Sequence, residues 1–188
     1  MSYEWVLSTE IQTAFDSYPA THNSRLTTAF MPFDPSTFRS ILGRFAAGVT
    51  VVTARDDAET DHGMTVSAFC SLSLEPPLVL MSIDQKAVMH GVLSSAAHCA
   101  VNVLSSGQES LARHFAEKLD DRFDGIGYTR GITGAALLKD VLAHIECNVV
   151  DRCAGGDHTI FICEVVAAEA YPERPLLYYR GGYAQLER

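Results

Sequence analysis

The most constraining stretch is Gly63-Met64-Thr65-Val66-Ser67-Ala68-Phe69-Cys70-Ser71-Leu72-Ser73-Leu74-Glu75-Pro76-Pro77. Its residues alternate between hydroxyl and apolar side chains and it closes on a double proline. A strand sends successive side chains to opposite faces, so an unbroken strand puts Thr65, Ser67, Ser71 and Ser73 on one side. Met64, Val66, Ala68, Cys70, Leu72 and Leu74 then line the core side, with Phe69 the exception. Proline cannot donate to a ladder, so Pro76-Pro77 ends the strand. A chain carrying such a segment folds around a half-exposed sheet, and the hydroxyl row is a candidate ligand-contacting wall.

The flanking sequence extends this pattern. Asp34-Pro35 reads as an N-cap with proline at the first helical position. Phe38, Ile41, Leu42 and Phe45 follow at helical spacing, with Gly48 as the stop. Val49–Arg55 is a β-branched strand, and the charged turn 56–62 joins it in a hairpin to the hydroxyl strand. Leu78–Ile83 reads as a third strand, buried on both faces. Asp84–Ser95 is a helix with Asp84 as cap and Val88, Val92 and Leu93 inward. Cys99–Leu104 is a strand, and Ser106–Lys118 a helix with Leu111, Phe115 and Leu119 on one face. Residues 120–134 form a long connection. Leu142–Asp151 alternates Ala143, Ile145, Cys147 and Val149 inward with His144, Glu146 and Asn148 outward. Gly155-Gly156-Asp157 is a hairpin turn into a strand at His158–Ala168, and Pro175–Tyr183 is a last strand running into a glycine turn. Strands joined by hairpins with single helices between them lack the βαβ rhythm of a parallel sheet. A mostly β, largely antiparallel barrel with peripheral helices is expected over residues 34–188, preceded by an extension, residues 1–33.

The 188 residues are 47% apolar and 20% charged, within the range of one globular domain. A net charge of −9 argues against nucleic-acid or anionic-membrane partners. No apolar run approaches bilayer length, and the acidic N-terminus lacks a signal-peptide pattern, so a cytoplasmic protein is expected. The five cysteines are scattered and form no C-x-x-C pair, as for free thiols in a reducing compartment.

Gly125-Ile126-Gly127-Tyr128-Thr129-Arg130-Gly131 is the nearest approach to a dinucleotide fingerprint. Its third glycine falls one place late and it follows charged residues, not an apolar strand, which argues against a Rossmann site. The histidines lack metal-ligand spacing, so no metal is expected. No nucleophile elbow or phosphate-binding P-loop occurs. The remaining candidates are the hydroxyl strand, Ser82-Ile83-Asp84, His114-Phe115, His158 and Tyr178-Tyr179-Arg180-Gly181. They supply donors, aromatic surfaces and a cation, but no nucleophile or acid/base pair. Such a set suits a site where a cofactor performs the chemistry and the protein orients it.

The order Phe38-Arg39-x2-Leu42-Gly43-x-Phe45-x2-Gly48-Val49-Thr50-Val51-Val52-Thr53, Gly63–Phe69, Ser71–Leu80, Val101–Leu104, Phe115-Ala116, Gly156-Asp157-His158 and Pro175–Arg180-Gly181-x-Tyr183 resembles the flavin reductase-like family. The resemblance runs from about Asp34 to the C-terminus. It implies an FMN-binding split β-barrel, a homodimer with the flavin near the subunit interface, and NAD(P)H-dependent reduction of FMN or FAD. It also implies release of reduced flavin to a separate flavin-dependent monooxygenase. By the same resemblance Gly63, Met64, Thr65, Ser67 and Ala68 meet the isoalloxazine and ribityl portions. Ser82, Ile83, Asp84, Lys86 and Met89 lie along the flavin tail, with His114 and Phe115 nearby. His158 positions the nicotinamide of NADH or NADPH, bordered by Tyr178, Tyr179, Arg180 and Gly181. The family's serine or arginine pattern for flavin phosphate is missing from Gln85-Lys86-Ala87-Val88-Met89-His90, where Lys86 is the available charge. His114 stands where an arginine is frequent. Weak tail contacts of this kind suit a flavin used as a diffusible substrate. Two alternatives share the scaffold: a tight flavin-binding or electron-transfer protein, and a flavoenzyme acting on an organic substrate.

Overall fold

The computed structural model describes residues 34–117 and 121–186. The extension 1–33 and Leu119 therefore lie outside the described residues. Helix α1 (Pro35–Leu42) starts as expected: the Asp34 carboxylate accepts from the amides of Ser36 and Thr37 at 3.1 and 3.0 Å. It ends at Gly43, not Gly48, which instead belongs to the short strand β1 (Ala47–Gly48). No residue of α1 is buried; its apolar face, with Phe38, Ile41 and Leu42, is exposed.

Strands β2 (Thr50–Arg55) and β3 (Asp61–Val66) form the expected hairpin. Strand β4 (Phe69–Leu74) then pairs with β5 (Pro77–Asp84), so Pro76-Pro77 lies at a tight hairpin between two strands. Helix α2 (Val88–Ser95), strand β6 (His98–Val103) and helix α3 (Glu109–Ala116) follow. The connection after α3 contains an unforeseen hairpin of β7 (Tyr128–Arg130) and β8 (Ala136–Leu138). Strands β9 (Ala143–Gly155) and β10 (His158–Ala170) make a long hairpin about Gly156, whose φ is +74°. The chain closes with β11 (Leu176–Tyr179) and β12 (Gly182–Gln185).

Seven antiparallel strands form the main sheet, in the order β3-β2-β6-β9-β10-β5-β4. A three-stranded sheet, β1-β11-β12, sits apart from it. The edge strands β3 and β4 are neighbours in sequence, joined only by Ser67 and Ala68. Three Cα steps span at most about 11 Å, whereas six strand spacings in a flat sheet need about 29 Å. The sheet is therefore curled until its edges approach, and the Ser82 amide donates across the seam to the Ala68 carbonyl at 2.9 Å. No ladder joins β3 to β4 among the described residues, so the barrel is split.

The seam reverses the side-chain phase expected for an unbroken strand. Val66 is buried and Met64 packs on the same core, but after the Ser67-Ala68 corner it is Phe69 that packs inward. Cys70, Leu72 and Leu74 turn outward, Leu74 being 90% exposed. Strand β2 is buried on both faces and separates two apolar clusters. Val52 and Ala54 join Met81, Ile83, Leu93 and Phe161 inside the barrel, while Val51 joins Phe115, Leu138 and Leu176 outside it. Buried polar groups fasten the outer layer. Asn102 donates to the Val51 carbonyl at 3.0 Å and accepts the Leu138 amide at 2.8 Å, and the Thr53 hydroxyl donates to the Ala136 carbonyl at 2.6 Å.

Three further expectations give way. Val88 is exposed, because α2 turns Met89, Val92 and Leu93 to the core. Its side-chain cap is missing; the Asp84 carboxylate instead accepts the Lys86 amide one turn earlier. Glu146 is buried, since the 131–135 turn covers that face of β9 and donates the Thr133 amide and hydroxyl to it at 2.8 and 2.7 Å. Of the cysteines, Cys99, Cys147 and Cys163 are buried, but Cys70 is exposed and Cys153 half-buried.

Candidate functional site

Helix α3 lies against β3, and the residues between them show what each small side chain is for. A Cβ on Gly63 would stand 2.5 Å from Phe115 Cε1, so this glycine makes room for a buried ring and not for a ligand. Two residues on, the Thr65 hydroxyl donates to the Ala112 carbonyl at 2.7 Å. Its proton is committed there, leaving Thr65 an acceptor towards anything bound beside it. Ser67 and Ala68 follow at the seam, both exposed.

Beside that seam is a cleft of about 220 Å³ lined by Val49, Thr65, Ser67, Ala116, Tyr178 and Tyr183. It continues, through shared Ala116, Tyr178 and Tyr183, into a second hollow bordered by Arg113, Glu117 and Gly181. The β11–β12 turn has two residues, Arg180 and Gly181, at φ +53° and +81°, which sets Tyr178 directly across the ladder from Tyr183. Their rings meet edge to face at 5.5 Å. Burial, with smaller contributions from Tyr178 and Glu109, raises the Tyr183 phenol despite the nearby Arg113, so it keeps its proton at neutral pH. The Arg113 guanidinium lies 4.9 Å from the Tyr183 ring centre, held by Glu109 at 2.6 Å.

Of the residues expected at the site, Thr65, Ser67, Tyr178 and Gly181 converge on this cleft. Tyr179 and Arg180 do not line it; Tyr179 alternates to the other face of β11, and Arg180 is spent on the turn, its amide donating to the Gly43 carbonyl at 2.7 Å. Ile83 and Phe115 are fully buried in the two cores, so neither can offer a side chain to a ligand. His114 is a clamp: its Nε2 donates to the Arg122 carbonyl at 2.7 Å. Ser82, Asp84, Lys86 and His158 gather at one end of β5 and β10, where His158 is the ladder partner of Asp84. The His158 ring meets the Asp157 carboxylate at 2.7 Å, which holds that carboxyl below its ordinary range. This group reaches the seam through the Ser82–Ala68 bond. Gly63 and Met89 line a separate cavity with Asp61, His62 and Arg122.

Ala116, Arg113, Glu117 and Tyr183 were absent from the expected set. Tyr183 had a readable signal, since a two-residue turn at Arg180-Gly181 makes residues 178 and 183 partners. The α3 residues had none, because only the fold brings the end of that helix to β11 and β12.

The family model for the flavin reductase like domain matches residues 42–187. The chain belongs to the flavin reductase-like family. It is 41% identical over 152 residues to the reductase component of the 4-nitrophenol 4-monooxygenase/4-nitrocatechol 2-monooxygenase of Rhodococcus opacus, covering 81% of each chain. It is 42% identical over 156 residues to the NADH-dependent FAD reductase of Streptomyces globisporus, covering 80% of this chain and 85% of the relative. The solved Streptomyces globisporus NADH:FAD oxidoreductase in complex with NAD and FAD fragments superposes with a TM-score of 0.80 at 40% identity, over 84% of this chain and 95% of the other. The flavin reductase PheA2 gives a TM-score of 0.78 at 41% identity, over 83% of this chain and all of the other.

Proposed function

We propose that the chain uses NADH or NADPH to reduce FMN or FAD by hydride transfer and passes the reduced flavin to a separate monooxygenase. The observation that carries this reading is the make-up of the cleft. It offers an aromatic pair, a guanidinium and hydroxyls, and none of its lining residues is a nucleophile paired with a base. A flavin, when bound, supplies the hydride acceptor. The protein then has to hold two planar rings together, with the reacting atoms about 3–3.5 Å apart.

On this reading Ser67 donates to the ring edge, Thr65 accepts from it, and Tyr178 and Tyr183 cover an apolar face. Ser82, Asp84 and Lys86 border the tail, and His158 orients the nicotinamide without acting as an acid or base. The reductase domain is residues 34–188, with 1–33 an extension. The working unit is a homodimer; the outward Leu72 and Leu74 beside the seam support a second copy covering that face. A cytoplasmic location accords with the lack, among the described residues, of a helix long and apolar enough to cross a membrane.

An absorbance assay at 340 nm, a wavelength set by the reduced nicotinamide, tests the proposal. Oxidation of NADH or NADPH should be steady and scale with added free flavin. Flavin that stays bound and is not reduced by either nicotinamide would refute it, favouring a flavin-binding or electron-transfer protein.

A further inference from the structure

Arg122 has no place in the reading above, yet its surroundings are unusual. It sits in the connection between α3 and β7, with its backbone carbonyl clamped by His114. Its Nη1 donates to the Gly63 carbonyl at 2.6 Å, and its Nε is buried without any hydrogen-bond partner. No carboxylate among the described residues forms an ion pair with it. A partly buried guanidinium with one carbonyl partner and an orphaned donor carries an uncompensated desolvation cost.

The cavity that Arg122 borders is lined also by Thr60, Asp61, His62, Gly63, Val88 and Met89. Val88 and Met89 are the first residues of α2, whose N-terminus has no capping side chain. A helix start exposes free amides and the positive end of the helix dipole, both of which favour an anion. The two acid–base side chains at the cavity are already occupied. Asp61 is raised by burial, but bonds to Arg130 and Tyr128 and the charge of Arg55 outweigh this and keep it ionised. His62 is paired with Asp56 at 2.8 Å.

We propose that Arg122 and the start of α2 form a phosphate subsite, which receives the phosphate of a nucleotide ligand bound along β3. Arg122 then supplies, from a distant connection, the charge that the segment after β5 lacks. The inference rests on the proposed function for the identity of the ligand, but the subsite itself can be tested with phosphate alone.

Flavin fluorescence titrations compare FMN with riboflavin, and steady-state kinetics compare NADH with reduced nicotinamide riboside. A charge-assisted contact of this kind is worth about tenfold or more in affinity. The wild-type chain should bind FMN about tenfold more tightly than riboflavin, and inorganic phosphate should weaken only FMN. Arg122→Met should bring the FMN and riboflavin affinities together without changing that for riboflavin, and Arg122→Lys should fall between. If the phosphate comes instead from the nicotinamide, Arg122→Met raises KM for NADH and leaves that for the riboside unchanged, which also supports the subsite. Should the chain bind no flavin at all, the functional reading fails. The phosphate-induced rise in Tm, present in the wild type and lost in Arg122→Met, then decides the subsite by itself. Phosphate indifference of the wild type in all these measurements overturns it, even if Arg122→Met fails to fold. Ratios and phosphate response that survive in a folded Arg122→Met chain overturn it equally.

Discussion

Gly63→Ala is the sharpest perturbation of the wall on which the site is built. The added methyl would lie 2.5 Å from Phe115 Cε1, 2.7 Å from Cδ1 and 3.3 Å from Phe123 Cζ. Carbon atoms pack at about 3.5–4.0 Å, so the ring must retreat by about 1 Å. It has nowhere convenient to go. Phe115 is fully buried and edge-on to His114 and Phe123, and Phe123 is edge-on to Tyr128. Overpacking of this kind costs about 1–3 kcal/mol. In a chain of this size that lowers Tm by roughly 2–12 °C. Urea unfolding should show the loss as a lower midpoint with an unchanged m-value. Phe115→Leu, which shortens the ring side chain, should absorb much of the added methyl, so the double mutant should be more stable than additivity predicts by about 1 kcal/mol. Gly63→Ala as stable as the wild type, or strictly additive with Phe115→Leu, would show that the glycine does not serve the ring.

Asn102→Ala strips the Leu138 amide of its buried acceptor, and should cost about 1–3 kcal/mol and speed hydrogen exchange at that amide. Glu146 is raised by burial, but bonds from Thr133 and Ile132 and the charge of His144 outweigh this and lower it from 4.5. A lowered folded-state value means stability that is complete above pH 4.5 and lost as pH falls through the folded value. Urea melts of Glu146→Gln should therefore show a gap to the wild type that is constant at neutral pH and closes in acid.

The elements with strong local signals were legible in the sequence: the Asp34-Pro35 start of α1, the β2–β3 hairpin, and the glycine turn between β9 and β10. What escaped was decided by contacts distant in sequence. The hydroxyl stretch reads as one strand because nothing at Ser67-Ala68 marks a corner; only the approach of the two sheet edges makes it one. Glu146 alternates as a surface residue would, yet a turn thirteen residues earlier covers it. At the site, Thr65, Ser67, Tyr178 and Gly181 were readable as a group. Reading Phe115 and Ile83 as contacts failed, since an apolar residue next to a ligand and one in the core have the same local pattern.

The two-residue join between β3 and β4 also bears on how the barrel assembles. Hairpins β2–β3, β4–β5 and β9–β10 close short loops and can form early, at little entropic cost. The pairing of β5 with β10 brings together residues such as Ser82 and Ile160, far apart in the chain, and only then is β4 carried round towards β3. The corner at Ser67-Ala68 acquires its final shape in that last step. The ligand-facing wall is thus a late product of folding, and amides at the seam should gain protection after those of the β9–β10 hairpin.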